Sequence, residues 1–258
     1  MIIDTHTHLL DGGWLSAYEK CPTAEQLIEA QDRFGVCQMW MSSVGALAED
    51  FVHYNRQLHE LTKHHTKRFK RFATASPYYG EKAVCELRRC LTDYGFEGIK
   101  VHYWMQGGTV HDKTSAAILE LAIEYSVPVL YHDGTPPTSD TLQIAYLAGA
   151  YSQAKIILGH SGMLDSYRAA IKACNAHDNL YLCISASPPG DIAEICAMAR
   201  ADRLLFGSDY GAGPTDDIFF NRRDAITCGC TDAKLQKAIF YTNAMDLYQS
   251  LGRGGSEV

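Results

Sequence analysis

Short apolar runs alternate with amphipathic stretches along the whole chain. The strand-like runs are residues 2–8, 36–42, 71–78, 98–103, 128–133, 155–159, 180–187 and 204–208. Apolar at consecutive positions and rich in Ile, Val, Leu, Tyr and Trp, they suit strands covered on both faces. Between them the period becomes helical. Thr23-Ala-Glu-Gln26 spells a capping box, and Gly35 suits the far end of the helix it opens. Leu47, Phe51, Tyr54, Leu58 and Leu61, spaced 4, 3, 4 and 3, draw one apolar stripe on a helix. Val84, Leu87 and Leu91 repeat the pattern in the next unit. Ile118, Leu121, Ala122 and Tyr125 do so in the one after, with Thr114 placed to cap it. Residues 144–150, 167–176, 192–199 and 218–226 fill the remaining slots. Residues 233–240 and 244–251 predict two closing helices ahead of a polar tail.

The first and eighth runs start at residues 2 and 204, so each strand–helix unit averages about 29 residues. Eight such units predict a (β/α)8 TIM barrel, with residues 1–258 as a single domain. A doubly wound open sheet would carry a glycine-rich phosphate loop after its first strand. His6-Thr-His8-Leu-Leu stands there instead.

Composition narrows the picture further. With 47% hydrophobic and 21% charged residues, the chain has the make-up of an ordinary globular protein. No stretch approaches the roughly 18 apolar residues of a membrane helix, and the N-terminus lacks the basic and apolar regions of a secretory signal. A net charge of −7 argues against a protein that works by neutralising phosphates. The basic stretch from Lys63 to Arg71 reads as a solvated helix end. Nine cysteines, scattered apart from Cys228-Gly-Cys230, read as reduced thiols. These features predict a cytoplasmic protein with a small-molecule substrate and neither nucleic-acid nor membrane partners. A homodimer is the default assembly by symmetry.

The chemistry gathers at the C-terminal ends of the strands, where barrel enzymes place their sites. Asp4, His6 and His8 alternate on the first strand, which predicts that they face one side. His132 ends the fifth strand, His160 the sixth and Asp209 the eighth. Each residue alone is a weak signal. The three imidazoles of strands one and five and the carboxylate of strand eight, converging on one mouth, form the donor set of a catalytic divalent-metal site with a position left for water.

These residues also carry a resemblance. Asp4-Thr-His6-Thr-His8, Gly98-Ile-Lys100-Val-His102, His132, Gly159-His160-Ser-Gly and Phe206-Gly-Ser-Asp209 resemble the amidohydrolase superfamily. Within it they are similar to the amidohydrolase-related (amidohydrolase 2) group of hydrolases, non-oxidative decarboxylases and hydratases. Tyr241-Thr-Asn-Ala-Met-Asp-Leu-Tyr248 resembles that group's closing helix. The resemblance implies a metal-dependent barrel with His6, His8, His132 and Asp209 as ligands and His160 beside the activated water. The expected cofactor is one divalent cation per chain, zinc first and manganese second. A bound dication lowers the pKa of water towards about 7; Asp209 can take the water's proton, and His160 can orient the nucleophile or polarise the substrate.

The expected activity is hydrolysis of an amide, ester or lactone in a small substrate. The alternative is non-oxidative decarboxylation of an unsaturated or aromatic acid on the same site. A third reading, a catalytically silent barrel, sits badly with a complete ligand set. Lys100 has three roles open to it: bridging two metals, binding a substrate carboxylate, or serving as a satisfied charge inside the barrel. Asp4 either supports a ligand or serves strand one. His102 reads as structural or rim-lining, and His111 lies in a loop open to substrate. His53, His59, His64 and His65 read as ordinary residues of the second helix or its end, and His177 as a charge partner at a helix C-terminus. Trp14, Tyr78, Trp104 and Tyr210 are candidate pocket walls, and Gly211-Ala-Gly-Pro214 a candidate rim turn.

Overall fold

The computed structural model describes residues 1–11, 21–211 and 215–252. Trp14 and residues 212–214 of the rim turn lie outside the described residues. Eight strands form one sheet in sequence order: β1 Ile2–Leu9, β2 Val36–Ser43, β3 Phe69–Thr74, β4 Gly98–Val101, β5 Val129–Tyr131, β6 Ile156–Leu158, β7 Leu180–Ile184 and β8 Leu204–Phe206. Every neighbouring pair is parallel. The Thr5 hydroxyl donates to Phe206 O at 2.8 Å, and Thr7 bridges Tyr210, so β8 returns to β1. The fold is the (β/α)8 barrel that the alternating pattern predicts.

The helices are α1 Ala24–Phe34, α2 Val44–Ala48, α3 Phe51–Thr62, α4 Glu81–Thr92, α5 Tyr103–Gln106, α6 Lys113–Glu124, α7 Thr141–Ala150, α8 Met163–Ala176, α9 Pro189–Met198, α10 Asp217–Gly229, α11 Ala233–Lys237 and α12 Asn243–Ser250. Among the described residues, none is long and apolar enough to cross a membrane. The capping box forms as expected: Gln26 N donates to the Thr23 hydroxyl, the Gln26 side chain accepts from Thr23 N, and Gly35 closes α1 in the left-handed region.

Three local expectations are corrected. The stripe from Leu47 to Leu61 is split between α2 and α3, because the Asp50 carboxylate accepts from Val52 N and His53 N and starts a new helix. Asp112, not Thr114, occupies the position before α6. The third strand covers Phe69–Thr74 rather than 71–78, and Pro77, lacking an N–H, opens a short 3-10 turn. Arg71 therefore leaves the basic stretch for the sheet, where it is buried and paired with Glu97 at 3.2 Å.

Two apolar clusters divide the interior. The larger lies between sheet and helices, from Met39 and Phe69 round to Leu204 and Phe206. The smaller fills the barrel itself with Ile3, Trp40, Phe72, Leu130, Ile157, Tyr181, Cys183 and Leu205. Leu247 and Tyr248 of α12 close its floor. Because that layer fills the lower barrel, the polar residues at the strand ends sit above a dry platform.

Candidate metal centre

The seam between β8 and β1 builds the centre. β1 is irregular, with its register broken between Asp4 and Thr7. Simple alternation of Asp4, His6 and His8 therefore does not describe it: the Thr5 hydroxyl also reaches inward, 3.5 Å from Cys183 Sγ. The buried Asp4 carboxylate accepts from Ser208 N at 2.9 Å, from the Ser208 hydroxyl at 2.5 Å and from His6 N at 3.3 Å. It thus ties the start of the chain to the residue preceding Asp209. Burial pushes the Asp4 carboxyl up to about 7 against the pull of those donors.

Beyond β8 the chain curls back over β1. Asp209 N donates to His6 O at 2.9 Å, and His8 N donates to Tyr210 O at 2.7 Å. Asp209 holds φ 61, a left-handed conformation that Asp tolerates better than most residues. Gly211, at φ +89, completes the curl where a Cβ would lie 1.9 Å from His8 O. The result sets the Asp209 carboxylate between two imidazoles.

His6 Nε2 lies 3.5 Å and His8 Nε2 3.1 Å from Asp209 Oδ1. The ligand atoms of these three residues fall within 4.8 Å of one another. Each imidazole is anchored through its other nitrogen, His6 Nδ1 on Gly159 O at 3.0 Å and His8 Nδ1 on the Ser42 hydroxyl at 3.1 Å. Such anchoring orients metal-binding histidines. Burial pushes the Asp209 carboxyl up, but His6, the His8 hydrogen bond and His160 outweigh it and hold the carboxyl well below its usual range. An ionised carboxylate, 21% exposed, thus faces two orientated imidazoles at the mouth. This donor set fits a divalent cation.

The other expected residues surround this triad. His132 stands outside it: Nδ1 is 2.9 Å from His160 Nε2, and Nε2 is 2.5 Å from the Thr135 hydroxyl. Its ring stacks on His102 at 3.8 Å, a partner that spacing alone did not reveal. His160 lies 5.0 Å from His6 between ring centroids, with Nδ1 2.7 Å from the Ser185 hydroxyl. Burial lowers the His160 pKa to about 4. Lys100, for which metal bridging, a substrate carboxylate and a satisfied interior charge were the three roles open, has no exposed surface, and its Nζ lies 2.8 Å from His6 Nε2. Burial lowers its pKa to about 8.

Several neighbours escaped the sequence reading. Asp133 accepts from His160 N and Gly162 N at 2.7 and 2.6 Å, holding the loop after β6 from the end of β5. A carboxylate directly after His132 was the available signal. Ser185, Thr135 and Ser42 gave none, being ordinary hydroxyls until folded beside an imidazole. Trp104, 63% exposed, reaches the mouth at 5.9 and 6.2 Å from the His102 and His132 rings. Tyr210 instead packs on Phe34. His111 is exposed beside Tyr146, and His59 stacks on Tyr94. All nine cysteines are free.

Solved structures share this architecture along their whole length. A 4-oxalomesaconate hydratase from Rhodopseudomonas palustris superposes with a TM-score of 0.72 at 18% identity, covering 98% of this chain and 97% of that one. A probable 2-pyrone-4,6-dicarboxylic acid hydrolase from Acinetobacter baumannii, with citric acid bound, gives 0.73 at 16% identity over 96% and 99%. A dihydroxybenzoic acid decarboxylase from a Polaromonas species, with bound manganese and the inhibitor 2-nitroresorcinol, gives 0.68 at 21% identity over 96% of each. At such identities the likeness establishes the shared barrel. No curated protein matches the sequence significantly. The family model for amidohydrolases, however, matches residues 3–249, nearly the whole barrel, and the chain belongs to the amidohydrolase family of enzymes.

Proposed function

We propose that this chain is a divalent-metal-dependent hydrolase that adds water across an amide, ester or lactone of a small molecule. The observation that carries this reading is the convergence of His6 Nε2, His8 Nε2 and Asp209 Oδ1 at the open end of the barrel. These residues would hold the cation, with His132 as the fourth donor that the resemblance implies. When bound, the cation supplies Lewis acidity, which lowers the pKa of water and polarises a carbonyl oxygen. Zinc and manganese both suit two or three imidazoles and a carboxylate, and the manganese in the Polaromonas decarboxylase supports testing it beside zinc.

The chain's own groups supply the proton handling. Asp209, ionised and partly open to solvent, is the base that accepts a proton from water. His160 stands beside it with a neutral ring, placed to orient the nucleophile or the substrate carbonyl. Lys100 lies at the triad itself, its amine 2.8 Å from His6 Nε2, the nitrogen that would hold the cation. The substrate is a small molecule, and we place the enzyme in the cytoplasm, with a homodimer as its assembly.

A second reading, decarboxylation of an aromatic acid, is favoured by Trp104 beside the stacked His102 and His132 rings, a flat wall suited to a planar substrate. One experiment addresses both. Protein stripped by chelator and reloaded with zinc or manganese is offered esters, lactones, amides and aromatic acids. Acid release without carbon dioxide supports hydrolysis, and carbon dioxide release supports the second reading. Failure of the wild type to bind either metal would overturn both.

A further inference from the structure

A chain of hydrogen bonds leaves the metal triad from a single backbone carbonyl. Gly159 O, just beyond β6, lies 3.0 Å from His6 Nδ1 and 2.8 Å from the Ser185 hydroxyl. A carbonyl oxygen only accepts, so both partners donate. His6 therefore carries its hydrogen on Nδ1, and the single hydroxyl hydrogen of Ser185 points at Gly159. Ser185 then offers only lone pairs to His160 Nδ1, 2.7 Å away, so that nitrogen donates as well.

The consequence passes on to the next ring. With its hydrogen on Nδ1, a neutral His160 presents a lone pair at Nε2. His132 Nδ1, 2.9 Å from it, must donate. That leaves His132 Nε2 bare, and it accepts the Thr135 hydroxyl hydrogen at 2.5 Å. Neutral rings are required here by the surroundings. Among the described residues no carboxylate lies within ion-pairing distance of either imidazole: Asp209 favours a charge on His160 from farther off but burial outweighs it, and the Asp133 oxygens are taken up by His160 N, Gly162 N and the Thr141 hydroxyl. A buried imidazolium without a counter-charge is costly.

We infer that Ser185 is a positioning residue whose hydroxyl, fixed by the Gly159 carbonyl, sets the tautomers of His160 and His132 and so decides which His132 nitrogen, Nε2, keeps the lone pair available to a cation. The inference rests on the reading of His132 as a metal donor. Ser185 is buried just after β7, and its hydroxyl bonds Gly159 O and His160 Nδ1, so it acts through His160. Without the hydroxyl, His6 keeps its own bond to Gly159. His160 loses its Nδ1 acceptor and is free to move its hydrogen to Nε2. It would then donate to His132 Nδ1 and force the His132 hydrogen onto Nε2, where it blocks ligation.

The test uses the full-length protein labelled with 15N-histidine, stripped of metal by chelator, and long-range 1H–15N spectra that distinguish Nδ1–H from Nε2–H rings. The wild type should show His6, His132 and His160 as Nδ1–H tautomers. In Ser185→Ala, His132 and His160 should shift towards Nε2–H while His6 stays unchanged. Manganese affinity, measured by calorimetry, should weaken by about 10- to 100-fold, the usual cost of losing a group that supports a ligand. Ser185→Thr, which keeps the hydroxyl, should restore both readouts, and Ser185→Cys, a weaker donor, should fall between. An Nε2–H His132 in the wild type, or unchanged tautomers in Ser185→Ala, would overturn the inference. Altered tautomers with unchanged manganese affinity would also overturn the role at the metal site. If the wild type bound no manganese, the metal reading would fail, while the spectra would still decide whether Ser185 sets the tautomers.

Discussion

Replacing Asp133 by Asn removes one of the two acceptor oxygens of a buried carboxylate that three donors share. Oδ1 accepts from His160 N at 2.7 Å; Oδ2 accepts from Gly162 N at 2.6 Å and from the Thr141 hydroxyl at 3.3 Å. Asn has a single acceptor oxygen, so its amide nitrogen must face one of the two backbone N–H groups, donor against donor. A buried N–H left unsatisfied costs about 1–3 kcal/mol, and each surviving bond weakens by about 1 kcal/mol as its acceptor loses charge. Relief of the buried charge, which pushes the Asp133 carboxyl up to about 6, offsets part of this. The net loss is on the order of 2–4 kcal/mol, a fall in Tm of about 5–15 °C for a chain of this length. Thermal and urea denaturation should be compared well above the raised pKa, where Asp133 is ionised. Turnover should also fall, because the backbone of His160 loses its anchor, while His6, His8 and Asp209 keep their contacts. A Tm within about 1 °C of the wild type would refute the claim that this carboxylate holds the loop after β6.

Three further outcomes are expected. Thr135→Val removes the hydroxyl that occupies His132 Nε2 and should raise manganese affinity by up to about tenfold, the worth of one neutral hydrogen bond; weaker binding by calorimetry would count against His132 as a donor. Gly211→Ala places a Cβ against His8 O at positive φ and should cost about 2–4 kcal/mol in urea denaturation while weakening manganese binding through His8. Asp4 is raised by burial from 3.8 to about 7, so the folded state binds the extra proton between those values. Its contribution to stability is full below the lower value and lost as pH rises through the upper one. The Tm of the metal-free wild type relative to that of Asp4→Asn should therefore fall from pH 4 to 7, and a rise would contradict the raised pKa.

The alternation of the barrel was legible because strands covered on both faces need consecutive apolar residues, and eight such runs have few other arrangements. Strand ends were less legible. β5, β6 and β8 span three residues each, and the apolar run continues past them into loops that pack equally well. The third strand was misplaced because Tyr78 looks like a strand residue but is 76% exposed after the Pro77 turn. The His6–His8–Asp209 grouping could be anticipated from residue type and strand position. The break in β1 could not, since it depends on how Thr5 and Asp4 meet residues some two hundred positions away. Asp133 was visible as a carboxylate but not as an anchor, because its partners are backbone groups. The direction of the hydrogen bonds from Gly159 through Ser185 exists only once the strands are side by side.

The curl of Asp209 over β1 also bears on how the molecule assembles. Ser208 and Asp4 are 204 positions apart in sequence, yet their contact and the adjoining bond from Asp209 N to His6 O join the first strand to the last. Contacts between such distant segments carry a large loop-closure cost and tend to form late in folding. Neither an early intermediate nor a fragment ending before β8 can bring His6, His8 and Asp209 together. An ion that binds there recognises the completed ring and not its parts. Binding to the native state alone adds stability by mass action, so cation uptake during refolding should lag behind helix formation and report the moment when the two ends of the chain meet.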